Sequence, residues 1–328
     1  LQVESKYRVA ITDYVFPDLE EEHRVLSEIG AHIVSGQCHT EDEVIELCKG
    51  ADAVLVCYAP VTARVIDSLD RCKIIARYGI GVNNVDVRRA TEKGILVTNV
   101  PDYCIDEVSD HALGLLLALA RKIPHLDRTV KSGLFDFKAW RPMFRLRGKV
   151  LGLMALGKIG QALTPKAQSL GLQVIAYDPF VPAAVADSLG VKLVTWDQLL
   201  SESDFISIHS PLTPETRHAF STEAFRKMKR TAYLINTARG EIIDEEALAQ
   251  ALETGQIAGA ALDVLADETT VSRNKLLRFD NIIITPHAAF YSEESTVELQ
   301  RKAAEQVLAA LKGVRPRYLL NKEVWRNE

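Results

Sequence analysis

From Arg8 to Thr285 the chain alternates short apolar runs with amphipathic stretches, and this rhythm restricts its fold more tightly than any other feature. RVAIT (8–12), AHIV (31–34), AVLVC (53–57), KIIAR (73–77) and ILVTN (95–99) read as strands. So do KVLGLMA (149–155), LQVIAYD (172–178), DFISIHS (204–210), AYLINT (232–237), AGAALDV (258–264) and NIIIT (281–285). Runs this apolar bury both faces of a sheet, and the helical patterns between them supply the covering layers, so an α/β fold with parallel strands is predicted. Gly30 and Gly50 end two of those helices, Thr195 with Gln198 opens another as a capping box, and a further one runs from Asp244 to Gly255.

At 328 residues the chain exceeds one ordinary domain, and its rhythm changes after Pro101. Ile105–Arg121 forms one long apolar helix with Pro124 as its expected stop, and it opens a second unit whose strands make a doubly wound sheet of the Rossmann kind. The closing segment Glu293–Lys312 is helical in pattern, but periodicity alone does not say which unit it joins. A formal charge of -5 offers no basic field for nucleic acid or an anionic membrane. The longest uncharged apolar run, Ala112–Ala120, is far short of the roughly 20 residues that cross a bilayer. Five scattered cysteines without a C-x-x-C pair suit buried thiols in a reducing cytoplasm and provide no metal site.

The turn after the first strand of the second unit reads Ala155, Leu156, Gly157, Lys158, Ile159, Gly160 where a dinucleotide fingerprint has G-x-G-x-x-G. The second glycine lets the backbone approach a pyrophosphate and the third lets helix pack on strand; both are present. Alanine in the first position is tolerable where that residue keeps a negative φ. Asp178 ends the next strand, 18 residues beyond Gly160. An acid there binds the ribose hydroxyls of NAD and repels the extra phosphate of NADP, although a solvated turn residue is the alternative. Pro165 falls inside the following helix pattern, where it is expected to bend the helix.

Ligands of open parallel sheets bind at the carboxyl ends of strands. In the second unit those ends carry Gly157, Asp178, Ser210 with Pro211, Thr237 to Arg239, Asp263 to Glu268, and Pro286 with His287. An arginine, a glutamate and a histidine are what hydride transfer between NADH and a 2-oxo acid needs: a cation to hold and polarise the substrate, and a proton carrier. Taken singly, each also reads as a surface ion-pair partner, a loop acid or a strand-end cap.

The runs RYGIGVNNVDV, TNVPDYCIDEVSDHALGLLLALAR, YDP, HSPLTPETRH, INTARGEIIDEEAL, ALDV and TPHAAFYSEES resemble the D-isomer-specific 2-hydroxyacid dehydrogenases, a family that includes phosphoglycerate dehydrogenases and C-terminal-binding corepressors. The resemblance covers almost the whole chain in order. It implies an NAD-binding Rossmann domain over 101–287 and a discontinuous, flavodoxin-like α/β substrate domain built from 1–100 and 288–328. It implies that Arg239 binds the substrate carboxylate and keto oxygen, that His287 carries the proton, and that Glu268 pairs with His287. Ile80 and Gly81 would offer backbone N–H groups to the substrate carboxylate. Gly157, Lys158, Ile159, Gly160, Asp178, Ser210, Pro211, Thr237, Ala238, Arg239, Asp263 and His287 would line the NAD site, with Asp263 near the nicotinamide amide. The implied activity is oxidoreduction between a small D-2-hydroxy acid and its 2-oxo acid in a cytoplasmic homodimer, joined through the cofactor domains. A dinucleotide-sensing interaction protein of the corepressor type is the runner-up. The chain departs from the family pattern at Ala155, at Glu241 in place of glycine, at Thr269 in place of the proline after Glu268, and at Asn83 in place of aspartate.

Overall fold

The uninterrupted apolar runs become the strands of two parallel sheets, as burial on both faces requires. The computed structural model describes residues 6–325, and the chain divides into two units, Leu1–Cys104 with Ser292–Glu328, and Ile105–Tyr291. The first unit contains β1 (Arg8–Ile11), α1 (Glu20–Leu26), β2 (His32–Ser35), α2 (Glu41–Leu47), β3 (Ala53–Val56), α3 (Ala63–Asp67), β4 (Ile74–Arg77), α4 (Val87–Glu92) and β5 (Leu96–Thr98). The second contains α5 (Ile105–Arg121), α6 (Ile123–Lys131), β6 (Val150–Met154), α7 (Lys158–Ser169), β7 (Gln173–Tyr177), α8 (Ala183–Ser188), β8 (Lys192–Leu193), α9 (Trp196–Glu202), β9 (Phe205–Ile208), α10 (Thr222–Lys227), β10 (Tyr233–Asn236), α11 (Glu245–Glu253), β11 (Gly259–Leu262) and β12 (Ile282–Ile284). The closing helix α12 (Glu293–Leu311) belongs to the first unit.

In the first unit the strand order β2-β1-β3-β4-β5 is that of flavodoxin. At its reversal point the buried Asp13, just past β1, accepts the N–H groups of Cys57, Tyr58 and Ala59 beyond β3 at 3.0, 2.5 and 3.1 Å. Helix α12 is held to α1 by Gln300, whose Nε2 donates to the buried Glu22 carboxylate at 3.0 Å, and Tyr78 donates to the other oxygen at 2.7 Å. Burial pushes the Glu22 carboxyl up.

The second unit has the order β12-β11-β10-β9-β6-β7-β8, so the winding reverses between β6 and β9. Two cores cover its faces: α5 and α7 pack over Leu151, Leu153 and Ile235, while α9, α10 and α11 pack over Ile206, Leu234 and Leu262. The expected capping box at Thr195 and Gln198 opens α9, and Asp244 caps α11. Pro124 does not act as a stop. Helix α5 ends at Arg121, Lys122 turns the chain with φ 55, and Pro124 sits in the first turn of α6, where a missing N–H costs nothing. Pro165 lies inside α7, which continues past it to Ser169. The edge strand β8 is two residues long, too short to leave an apolar run in the sequence.

The cofactor turn corrects one expectation. Ala155 does not keep a negative φ but adopts φ 75, the left-handed region that glycine normally occupies in this position. A Cβ there costs about 1–2 kcal/mol. The third glycine explains why the turn is nonetheless retained: a Cβ on Gly160 would stand 2.8 Å from the Ala155 carbonyl oxygen, so helix and turn pack at backbone distance. Ala155→Gly is therefore expected to stabilise the protein by about 1 kcal/mol, read as a raised urea midpoint at unchanged slope.

Candidate active site

Parallel strands all end on one side, so the second unit gathers its loop chemistry along a single sheet edge. After β6, Gly157 caps α7 with extended backbone, and a Cβ at Gly157 would meet nothing within 4 Å. The helix therefore opens through Lys158 and Ile159 with a bare backbone face, the geometry that accepts a phosphate. Asp178, just beyond β7, is no free turn residue. One of its oxygens accepts the Leu156 N–H at 2.8 Å, and the other accepts Phe180 and Val181 at 2.8 and 3.0 Å, so it braces the glycine turn.

On the adjoining ends of β9 and β10, the Ser210 Oγ and Thr237 Oγ1 atoms are buried with no hydrogen-bond partner. A buried hydroxyl left unpaired costs about 1–3 kcal/mol. Two of them beside an open glycine turn fit a polar ligand such as the dinucleotide, which would satisfy them. Pro211 is exposed, and its carbonyl receives the Thr216 hydroxyl at 2.8 Å. Burial pulls the His209 imidazole down to about 4, so it is neutral near pH 7 and no proton carrier, its Nε2 2.9 Å from Ser207 Oγ.

Beyond β10, the fully buried Asn236 shapes the turn with its side chain: Oδ1 accepts Ala238 N at 3.0 Å and Nδ2 donates to Arg239 O at 2.9 Å. The Arg239 guanidinium donates to the Ala238 carbonyl at 2.6 Å. Gly240 follows because nothing larger fits: a Cβ would lie 2.0 Å from Leu265 C and 2.2 Å from its oxygen. The arginine turn is thus pressed onto the loop after β11 that carries Glu268. The Leu265 N–H points to Glu268 Oε1 at 3.4 Å.

Glu268 meets His287 through Nδ1, at 2.9 and 3.1 Å to its two oxygens. Burial pulls the Glu268 carboxyl upward, but the hydrogen bond and charge of His287, the Leu265 N–H and the Arg239 guanidinium outweigh it and leave the group below the usual carboxylate range. An ionised carboxylate can only accept, so Nδ1 carries the proton and Nε2 is the ring nitrogen left for a ligand. In the position of the family's proline, Thr269 instead folds back on Asp267, donating from N at 2.8 Å and from Oγ1 at 2.6 Å.

Asp263 lies under this pair, 1% exposed. Its carboxylate accepts Thr285 Oγ1 at 2.6 Å, Ala288 N at 2.9 Å and Ala289 N at 2.8 Å, which bends the chain so that His287 sits at φ 52. His111 of α5 closes the network, with Nε2 3.0 Å from Thr285 Oγ1 and 3.5 Å from Asp263 Oδ1. Thus Arg239, Glu268, His287 and Asp263 come together at one edge. In the first unit, Ile80 and Gly81 follow β4 on a half-exposed turn, where the Ile80 carbonyl accepts Asn99 Nδ2 at 2.7 Å.

Sequence reasoning passed over Asn236, Thr285 and His111. Asparagine at a strand end is a turn signal; nothing local marked His111, which is remote in sequence. Among the described residues no cluster of three or more histidines, cysteines or acids could hold a metal, and no helix is long and apolar enough to cross a membrane.

A family model described as D-isomer specific 2-hydroxyacid dehydrogenase, NAD binding domain, matches residues 113–289. The chain belongs to the D-isomer specific 2-hydroxyacid dehydrogenase family. Residues 113–289 are accordingly its NAD-binding domain. The chain is 41% identical over 309 residues to a D-3-phosphoglycerate dehydrogenase of Methanocaldococcus jannaschii, covering 93% of this chain and 58% of that protein. It is 39% identical to a glyoxylate reductase of Korarchaeum cryptofilum, covering 86% of each. The D-lactate dehydrogenase of Aquifex aeolicus, solved with NAD and lactic acid, superposes with TM-score 0.84 at 29% identity, over 93% of this chain and 96% of that one. As Gly240 is all that lets the arginine and glutamate loops touch, Gly240→Ala is expected to cost about 1–3 kcal/mol in urea unfolding.

Proposed function

We propose that the protein is an NAD-dependent oxidoreductase that interconverts a small D-2-hydroxy acid and its 2-oxo acid. The observation that carries this reading is the His287–Glu268 pair beside Arg239 at the sheet edge whose Ser210 and Thr237 hydroxyls await a ligand. NADH, when bound, supplies the hydride. The rest falls to the chain. Arg239 holds the substrate carboxylate and polarises the keto group, so negative charge growing on the keto oxygen meets a fixed cation. His287 delivers a proton to that oxygen from Nε2, while Glu268 holds the ring's orientation and stabilises its charged form. Ile80 and Gly81 keep, in this reading, the substrate-carboxylate role that the resemblance implies. Gly157 to Gly160 receive the pyrophosphate, Asp178 the ribose, and Pro211, Ala238 and Asp263 complete the cofactor contacts. The first unit, Leu1–Cys104 with Ser292–Glu328, serves as the substrate domain, its borders four residues beyond the 1–100 and 288–328 that the resemblance implies.

The relatives named above are dehydrogenases and reductases, which supports turnover over a purely sensing role. A spectrophotometric screen of glyoxylate, pyruvate, hydroxypyruvate and its phosphate, with NADH and NADPH in parallel, tests the reading. One of these acids is expected to consume NADH, and His287→Ala to lower kcat by about 10²–10⁴-fold with NADH binding intact. If NADH binds and no acid is reduced, the sensing alternative replaces this one.

We place the enzyme in the cytoplasm as a homodimer. Its five free, buried thiols suit a reducing compartment. On the NAD-binding domain, Ile123, Val130, Leu134, Phe135, Phe137 and Phe144 form a run of exposed apolar side chains, with Phe135 92% exposed. Apolar surface gathered this way marks a covered face. Light scattering should give twice the 36.4 kDa chain mass, and Phe135→Glu with Phe137→Glu should give the single chain.

A further inference from the structure

We infer that Glu245 is the positioning residue that clamps the Glu268 loop in place for proton transfer; the inference rests on the oxidoreductase reading above. Ala266 to Thr270 are five consecutive exposed residues. Core packing holds the chain at Leu265 and Val271, and between them these five exposed residues are placed by hydrogen bonds. Glu245, the first residue of α11, provides them at two points. Its Oε1 accepts the Ala266 N–H at 2.7 Å, and its Oε2 accepts Asn274 Nδ2 at 2.8 Å. Glu268 lies between these anchors.

The clamp is built into the scaffold at both ends. Asp244, capping α11 through Glu246 N and Ala247 N at 3.1 Å each, fixes the helix from which Glu245 reaches. Asn274 in turn accepts Leu276 N at 2.9 Å and so ties the far end of the loop to a buried leucine. The neighbouring Glu246 is occupied by Lys275 at 2.7 and 2.9 Å and cannot substitute. Between the anchors, Asp267 stiffens the loop through Thr269 and Thr270. Glu268 holds His287 only within hydrogen-bond range, so slack of an ångström in this loop releases the imidazole.

The test compares wild type with Glu245→Ala, Glu245→Gln and Asn274→Ala by steady-state kinetics, NADH titration and amide hydrogen exchange. Glu245→Ala should lower kcat by about tenfold to a hundredfold. KM for the 2-oxo acid and the NADH Kd should stay within about twofold, and exchange at 265–270 should accelerate. Glu245→Gln, which keeps an acceptor for Ala266, should recover most of kcat, and Asn274→Ala should fall between. Unchanged exchange in Glu245→Ala, or a loss of kcat matched by an equal loss of NADH affinity, overturns the inference. So does a glutamine variant as impaired as the alanine one. If Glu245→Ala does not fold, the glutamine and Asn274→Ala variants decide it by the same readouts. If the wild type reduces no 2-oxo acid, the activity reading falls, and exchange at 265–270 alone decides whether Glu245 is a clamp.

Discussion

One buried carboxylate organises the chemical edge of the NAD-binding domain. Asp263 is withdrawn from water, a cost that only hydrogen bonds can offset, and it takes them from Thr285, Ala288 and Ala289 in a single turn of chain. Those three donors decide where the backbone after β12 goes. They place His287 in a left-handed conformation that a histidine does not favour on its own, and they aim Nδ1 at Glu268. The strain at His287 is thus sustained by the satisfaction of Asp263, as is common where geometry serves chemistry.

Around this pin, loops are brought together by backbone contact more than by side-chain charge. Gly240 lets the Arg239 turn lie on Leu265 and Ala266 with no side chain intervening. Asn236 shapes the same turn from beneath. Arg239 and Glu268 therefore come near because two strand ends are adjacent and two backbones touch, and the guanidinium adds to the hydrogen bond and charge of His287 that hold the Glu268 carboxyl down. The cofactor turn follows a similar logic. Gly160 gives the Ala155 carbonyl room, Asp178 holds Leu156, and between them they keep a turn whose first residue is strained.

Much of this was legible along the chain. The parallel sheets, the long helix Ile105–Arg121 and the caps at Thr195 and Asp244 follow from periodicity and local hydrogen bonding, which are properties of neighbouring residues. Arg239, Glu268 and His287 were visible as strand-end residues of the chemistry that hydride transfer needs, and Asp263 as a strand-end acid whose role the family resemblance supplied. His111 was not, because its contacts with Asp263 and Thr285 exist only across 152 and 174 residues of chain, and Thr285, 22 residues from Asp263, meets it only because β11 and β12 lie side by side. Local rules also misread two positions. Pro124 looked like an end and is a beginning, since a proline is equally at home in a first helical turn. Ala155 was expected to avoid positive φ, yet the packing of α7 on β6 outweighs its preference.

By itself the sequence determined the class of fold, the order of its elements and the kinds of groups at the strand ends, because these depend on patterns a few residues long. Only the tertiary structure decided the reversal of winding between β6 and β9, the contact of His111 with Thr285 and Asp263, and the unsatisfied hydroxyls of Ser210 and Thr237. These arise from distances between remote segments, set when parallel strands align their carboxyl ends and bury what lies beneath them.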